Sequence, residues 1–264
     1  MCLIVLGLEA HPEYRLVLAA NRDEFYERPS APAEFWKEAP EVLAGRDLKG
    51  GGTWTGVTRT GKIALLTNFR DPASRKENPP SRGLLVSDYL MGGRGPVEFL
   101  QQLSCRAHLY DGFNLILGRG AELYWYSNRG GAIRRIEPGV HGLSNHLLNT
   151  PWPKVRRAKG ALARILSGGS RVEEEDLFRL LADRTRPLDR ELPSTGMPLD
   201  WERILSPVFI VSPTYGTRSS TLLFLDRQGT LTFVERTHDP GAGGTVRYSF
   251  AVPGASGSPV SSAV

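Results

Sequence analysis

The chain has 264 residues, 40% of them hydrophobic, and its 33 basic and 28 acidic side chains leave a formal net charge of +5. The basic residues are dispersed, without the Lys/Arg runs or aromatic–basic ladders of nucleic-acid binders. Two cysteines exclude a disulfide scaffold, and no CxxC pair or Cys/His cluster indicates zinc. The first apolar run lacks the basic start and length of a signal peptide, and no segment is apolar for long enough to span a membrane. We therefore expect a cytoplasmic protein without a membrane span.

The first third of the chain predicts hairpins. CLIVLGL and RLVLAAN read as two apolar strands joined by a short Pro-containing turn. The charged, Pro-rich stretch at 21–36 is expected to be a loop. EVLAGRD is a short strand candidate, and residues 50–69 read as strand, Thr-Gly turn and strand.

Helices are predicted mainly in the middle of the chain. Residues 82–92, 95–103, 153–168 and 172–183 carry apolar side chains three and four apart, which favours helix. The segments at 112–118 and 122–127 return to strand patterns, and residues 136–146 read as a strand leading into a loop. We expect residues 184–203 to be irregular, and 208–216, 219–226 and 230–237 to be the closing strands.

Strands thus come in hairpins at both ends of the chain, with helices grouped between them. This order favours an α+β fold with antiparallel sheets and segregated helices over a doubly wound parallel sheet. Because no linker is evident, we predict one domain over residues 1–252. The Gly/Ser/Pro-rich stretch at 253–264 is predicted to be a flexible tail.

Cys2 is the first candidate functional residue. Aminopeptidases remove Met1 when the next side chain is small, and removal would leave a thiol and a free α-amine on one residue. Such a residue is a nucleophile that carries its own base. The alternative is that Cys2 simply fills a strand as a small hydrophobe. The other cysteine, Cys105, is expected to be a buried thiol.

Three further stretches place polar residues at predicted strand ends: NRDE at 21–24, TNF at 67–69 and YGTRSST at 215–221. Each has a structural explanation, as a turn or a surface ion pair. Together they supply what a cysteine nucleophile needs. Arginine favours the thiolate, a carboxylate orients the amine, and an asparagine amide stabilises an oxyanion.

Seven motifs in order resemble the NRDE family, also called the transport-and-Golgi-organisation-2 family. They are MCLIVL, AANRDEF, GGGTWTGV, LLTNFRDP, SRGLLV, GLSN–TPWPKV and YGTRSSTLLFLD, and they run from residue 2 to about residue 225. That family in turn resembles cysteine N-terminal-nucleophile (Ntn) hydrolases such as penicillin V acylase and bile-salt hydrolase. The resemblance implies a four-layer αββα sandwich that cleaves non-peptide amide bonds without a metal or organic cofactor.

The resemblance also implies site residues. Cys2 matches the nucleophile, Asp23 the carboxylate that holds the amine, and Arg218 a late arginine that faces the nucleophile. Asn68 and Asn145 match the two asparagines of the acylase site. Asn21, Arg22 and Ser219 are the candidate supporting residues.

One position departs from the acylase pattern. The acylases carry an arginine three residues before the aspartate, where this chain has Ala20. Arg22 instead directly precedes Asp23, and it would lie on the opposite face of a continuing strand.

These observations favour an Ntn-type cysteine hydrolase or acyltransferase that acts on a small-molecule amide or thioester. The alternative is a non-catalytic carrier for haem or an acyl-lipid ligand, since the family has been linked to haem trafficking and lipid metabolism. A structural or trafficking scaffold is disfavoured because it needs no polar cluster.

Overall fold

The computed structural model describes residues 2–169, 171–238 and 243–254, with Cys2 described by its main chain alone. Two antiparallel sheets form the centre of the fold. The strands are β1 (Cys2–Leu8), β2 (Tyr14–Phe25), β3 (Ser30–Phe35), β4 (Val42–Asp47), β5 (Thr55–Thr58), β6 (Lys62–Asn68), β7 (Phe113–Arg119), β8 (Glu122–Ser127), β9 (Arg134–Arg135), β10 (Gly139–Leu143), β11 (Tyr215–Asp226), β12 (Thr230–Thr237) and β13 (Gly244–Ala251). The helices are α1 (Gly83–Met91), α2 (Pro96–Arg106), α3 (Pro153–Ser167), α4 (Glu174–Leu181) and α5 (Leu199–Ile204).

The first sheet has the strand order β10-β1-β2-β11-β12-β13, and the second has the order β3-β4-β5-β6-β7-β8-β9. The first sheet joins the two ends of the chain, because β11 pairs along almost all of β2. Residues at the end of β2 therefore lie beside residues near the start of β11. This pairing brings the NRDE stretch at 21–24 beside the YGTRSST stretch at 215–221.

Alternating side chains on each strand divide the core into layers. On β1, Ile4 and Leu6 belong to the apolar core between the sheets, whereas Leu3 and Val5 pack in the core under α3 and α4. The outer face of the second sheet packs against α1 and α2 in a third core. Since period-two alternation gives each strand two faces, both faces of both sheets are covered. The result is a four-layer αββα sandwich, as predicted.

Three local predictions were wrong. The stretch at 21–36 is not a loop, since β2 continues to Phe25 and β3 follows. Residues 208–216 form only an isolated bridge at Val211 before β11 begins at Tyr215. The segment at 184–203, expected to be irregular, contains most of α5. In each case tertiary contacts override local propensity.

Two predictions concern the ends and the second thiol. From residue 255 onward, the predicted tail lies outside the described residues, as does Met1. Cys105 was expected to be buried, but it is exposed on α2, because it follows the buried Leu103 by two positions on the helix.

Among the described residues, no helix combines the length and apolar character needed to cross a bilayer.

Candidate functional site

The candidate site lies at one end of the space between the two sheets. The inner face of β2 is apolar through Leu16, Leu18 and Ala20 and then changes to the charged residue Arg22. In the register of β1 and β2, Arg22 pairs with Cys2. The start of the chain therefore lies where the inner surface of the first sheet becomes polar.

Arg22 spans the gap between the sheets. Its guanidinium carbon lies 4.1 Å from the ring centroid of Trp54, which directly precedes β5 of the second sheet, and its Nη1 donates to the Ser30 hydroxyl at 3.4 Å. The side chain is 5% exposed. A cation held over an aromatic face and largely removed from water keeps its field concentrated locally.

The side chain of Asp23 projects from β2 on the face opposite to that of Arg22. Its Oδ1 accepts a hydrogen bond of 2.7 Å from the Thr217 hydroxyl, and its main-chain carbonyl accepts one of 2.9 Å from the Tyr215 hydroxyl. Burial raises the pKa of the Asp23 carboxyl, while the Lys154 ammonium and the Thr217 hydroxyl lower it. Burial thus disfavours the ionised form of the carboxyl, whereas Lys154 and Thr217 favour it.

Lys154 was missed by the sequence reasoning. It occupies the first turn of α3 and is only 3% exposed, and its charge acts on Asp23. A signal was present in the sequence, because a cation in the first turn of a helix opposes the helix dipole. Such a residue therefore suggests a tertiary partner.

The two predicted asparagines lie together. Asn68, the last residue of β6, is half-buried and lines an open cleft. The Asn145 side-chain amide donates to the Asn68 main-chain carbonyl at 2.9 Å, and the Arg70 main-chain N–H donates to the Asn145 carbonyl at 2.7 Å. Asn145 is completely buried, so its visible role is to fix the main chain at Asn68.

Arg218 supports the end of β2. The register of β11 against β2 shifts between Thr217 and Ser219, at the position of Arg218. Its Nη1 donates to the carbonyls of Phe25 at 2.8 Å and Arg28 at 3.0 Å. Arg218 thus holds the chain that follows Asp23.

The remaining predicted residues divide between the core and the site. Asn21 donates to the carbonyls of Leu181 and Val208, both at 2.9 Å, so it fastens the first sheet to the helical side. Ser219 lies on the inner face with Arg22, its register partner on β2. Ser219 therefore lies next to Arg22 in the candidate site, whereas the contacts of Asn21 join structural elements.

Two cavities adjoin Arg22. The larger is an open cleft of about 320 Å³ that Arg22, Asp23 and Asn68 help to line. The smaller has a volume of about 210 Å³ and is lined in part by Arg218, Ser219 and Glu235. Arg22 and Trp54 line both cavities and therefore form their shared wall.

Glu235, on β12, is a second buried charge that the sequence reasoning missed. Burial raises its pKa to about 7, although the Ala33 N–H and the Arg22 guanidinium both act to lower it. The inner-face alternation of Leu231 and Phe233 predicts an apolar residue at position 235, so a glutamate there was the available signal.

The site thus combines a cation at the register position of Cys2, a buried carboxylate and an amide donor on a cleft. These are the groups that nucleophilic acyl chemistry requires. Within the part of the chain that the structure describes, no group of three or more His, Cys, Asp or Glu side chains is arranged to hold a metal ion.

The family model described as Transport and Golgi organisation 2 matches residues 1–240. The chain belongs to this family. It is 35% identical to the bovine Transport and Golgi organization protein 2 homolog, over 95% of this chain and 99% of the relative. It is also 35% identical to the human homolog, over 90% and 93% of the two chains, and 26% identical to the Drosophila melanogaster protein, over 90% and 92%.

Two solved structures have a fold similar to that of this chain. A Caenorhabditis elegans N-acylethanolamine-hydrolyzing acid amidase ortholog aligns over 84% of this chain and 92% of its own, with a TM-score of 0.50 at 12% identity. The C2A mutant of conjugated bile acid hydrolase from Clostridium perfringens aligns over 93% and 92%, with a TM-score of 0.54 at 8% identity. At these identities the likeness shows the fold alone, and it confirms the predicted Ntn-hydrolase-like α+β sandwich.

Proposed function

We propose that the protein is an Ntn-type cysteine hydrolase or acyltransferase that cleaves a non-peptide amide or thioester bond of a small molecule. The observation that carries this proposal is the register pairing of Cys2 with Arg22 at the polar end of the inter-sheet space. The names of the solved relatives, an acid amidase and a bile acid hydrolase, agree with it in reaction type.

In the proposed reaction, Met1 is removed and the Cys2 α-amine takes the thiol proton. The thiolate attacks the substrate carbonyl, and a carbon–sulfur bond forms as the carbonyl electron pair moves to oxygen. The tetrahedral intermediate then expels the amine or thiol, which takes the proton back from the α-amine. Water or a second acceptor attacks the Cys2 acyl group, loses its proton to the same amine and releases Cys2.

The neighbouring residues have distinct proposed roles. The Arg22 guanidinium favours the thiolate, and Asp23 orients the α-amine, whose reference pKa of about 8 suits a base near neutral pH. The Asn68 amide faces the cleft and donates to the oxyanion. Asn145 and Arg218 act indirectly, through the main chains of Asn68 and of the segment after β2. This proposal places Arg22 in the role that the acylases give to the residue matching Ala20.

The test is covalent capture. Processed protein, with Met1 removal checked by intact mass, is incubated with p-nitrophenyl acetate or an acyl-thioester, and the modified peptide is identified. We expect a single acyl adduct on Cys2, no adduct in Cys2→Ala, and a large loss of turnover in Cys2→Ser. Cys105→Ser is the matched control, because Cys105 is an exposed thiol on α2, and it should retain the adduct.

The alternative function, a carrier for haem or an acyl-lipid, predicts different results. A carrier would form no Cys2 adduct and would turn over no acyl compound. Its haem absorbance titration would remain saturable in Cys2→Ala. The hydrolase proposal would be rejected if the acyl adduct formed only on Cys105 and Cys2→Ala still bound haem saturably.

A further inference from the structure

The smaller cavity contains a buried acid that the proposed reaction does not use. Glu235 is 1% exposed, and its carboxylate lies on the inner face of the first sheet. Its Oε1 accepts the Ala33 N–H of β3 at 2.7 Å, while its Oε2 receives a longer bond of 3.4 Å from the Thr221 hydroxyl. Oε1 therefore holds the two sheets together, and Oε2 is the oxygen that is less tightly engaged.

The position of this cavity relates it to the scissile bond. Because Arg22 and Trp54 line both cavities, the cleft and the smaller cavity lie on either side of the same two side chains, and Arg22 is the register partner of Cys2. A substrate cleaved at Cys2 has one part on each side of the bond. One of those parts can occupy the smaller cavity while the other occupies the cleft.

The lining determines what kind of group fits. A volume of about 210 Å³ corresponds to roughly seven waters at about 30 Å³ each, so the group is small. Two guanidiniums, those of Arg22 and Arg218, line the cavity and disfavour an ammonium group. The Glu235 carboxylate favours a hydrogen-bond donor, and Pro32 and Trp54 provide apolar contact.

We propose that the smaller cavity is a substrate subsite that takes a small neutral group bearing a hydroxyl or amide N–H, which donates to Glu235. This subsite rests on the proposed function for its relation to the scissile bond. The donor belongs to the acyl part or to the leaving part of the substrate, and the probes below separate these two. A site built to bind a substrate hydroxyl discriminates strongly against the analogue that lacks it, because its own polar group is left unpaired.

Three nearly isosteric amides test the subsite. N-Propylbutanamide has no hydroxyl, N-(2-hydroxyethyl)butanamide replaces the terminal methyl of the amine part by hydroxyl, and 3-hydroxy-N-propylpropanamide does so in the acyl part. Binding is measured by NMR chemical-shift titration of the full-length Cys2→Ser protein, so no turnover is required. At pH 8, above the raised pKa of Glu235, we expect one of the two hydroxyl probes to bind about tenfold more tightly than the parent amide, as one charge-assisted hydrogen bond provides.

The variant Glu235→Gln removes the charge but keeps an oxygen for the Ala33 N–H, so the sheets remain joined. In it the hydroxyl preference should fall to about threefold or less, while the affinity for N-propylbutanamide stays within a factor of two. A purely structural role of Glu235 would change all three affinities together. The matched control is Glu24→Gln, because Glu24 lines only the larger of the two cavities. It should leave the preference intact.

The outcomes separate the subsite from the reaction. Equal affinity for the three amides, a preference unchanged in Glu235→Gln, or no saturable shift with any probe would overturn the subsite, even if Cys2 forms acyl adducts. A Glu235-dependent hydroxyl preference in a protein that forms no adduct would support the subsite as a binding site and reject the hydrolase.

Discussion

The side-chain amide of Asn145 donates a 2.9 Å hydrogen bond to the main-chain carbonyl of Asn68, across 77 positions of sequence. One asparagine lines the cleft, and the other holds it in place from the buried side. Two residues that the sequence presents as equivalent candidates therefore have different expected mutant phenotypes.

Replacing Asn68 by alanine should affect chemistry more than stability. Its half-buried side chain makes no hydrogen bond to any described residue, so the free energy of unfolding should change by less than about 0.5 kcal/mol. Loss of an oxyanion donor should slow acyl-adduct formation about 10²–10³-fold. Adduct rates by mass spectrometry and urea unfolding measure the two effects.

Replacing Asn145 by alanine should show the reverse order. The change removes the donor to the part-buried carbonyl of Asn68 and truncates a fully buried side chain, which together cost about 1–3 kcal/mol of unfolding free energy. The adduct rate should fall as well, because the main chain at Asn68 is released. An Asn145→Ala protein as stable as the wild type would contradict the supporting role.

The sequence predicted the layers of this fold better than the ends of its strands. The β1–β2 hairpin follows from two apolar runs with a turn between them. The continuation of β2 from Asn21 to Phe25 was missed, because its partners are distant in sequence: Asn21 donates to the carbonyls of Leu181 and Val208, 160 and 187 positions away, and Phe25 pairs with Tyr215 on β11. No local propensity contains such information.

The same limit applies to the candidate site. Asp23, Asn68 and Arg218 could be proposed because their motifs resemble known ones. Lys154 and Glu235 were missed because no motif marks them, and their local signals, a cation in a first helical turn and a glutamate within an apolar alternation, do not identify their partners. Their functional interest comes from burial, which the pairing of distant strands and the packing of α3 create.

Arg22 should control the reactivity of Cys2. A nearby guanidinium favours the thiolate, so iodoacetamide labelling of Cys2 against pH should have its midpoint below the free-thiol value of about 8.5. Arg22→Gln should raise this midpoint, whereas Arg22→Lys should raise it less. Peptide mapping quantifies the iodoacetamide labelling of Cys2 and of the exposed Cys105 in the same sample.

A matched arginine controls for general effects of that substitution. The Arg46 guanidinium carbon also lies 4.1 Å from an aromatic centroid, that of Trp36. Arg46→Gln should leave the Cys2 midpoint unchanged. Identical, unperturbed profiles for Cys2 and Cys105 in the wild type would remove the proposed role of Arg22.

Glu235 should make stability depend on pH near neutrality. Its pKa is raised from 4.5 to about 7 in the folded state, so between these values the folded protein binds more protons than the unfolded chain. The contribution of Glu235 to the free energy of unfolding is therefore fully present below about pH 4.5 and is lost as the pH rises through 7. A shift of this size corresponds to about 3 kcal/mol.

The comparison that isolates this effect is wild type against Glu235→Gln, measured by urea unfolding from pH 4.5 to 8. The glutamine does not titrate, so the wild type should lose about 3 kcal/mol relative to it across this range. Groups not coupled to Glu235 cancel in the difference. A difference that does not vary with pH would mean that Glu235 titrates normally.

Lys154 and Asp23 should be energetically coupled. Burial raises the pKa of Asp23, and the Lys154 ammonium is the largest influence that lowers it. Lys154→Met should therefore destabilise the fold by leaving a buried carboxylate with less compensation, and Asp23→Asn should remove that penalty. A double-mutant cycle of the two changes should give a coupling of about 1–3 kcal/mol, against nearly zero for the control Lys159→Met on the same helix. Additive effects of Lys154→Met and Asp23→Asn would show that the lysine is buried for packing alone and does not interact with the Asp23 carboxyl.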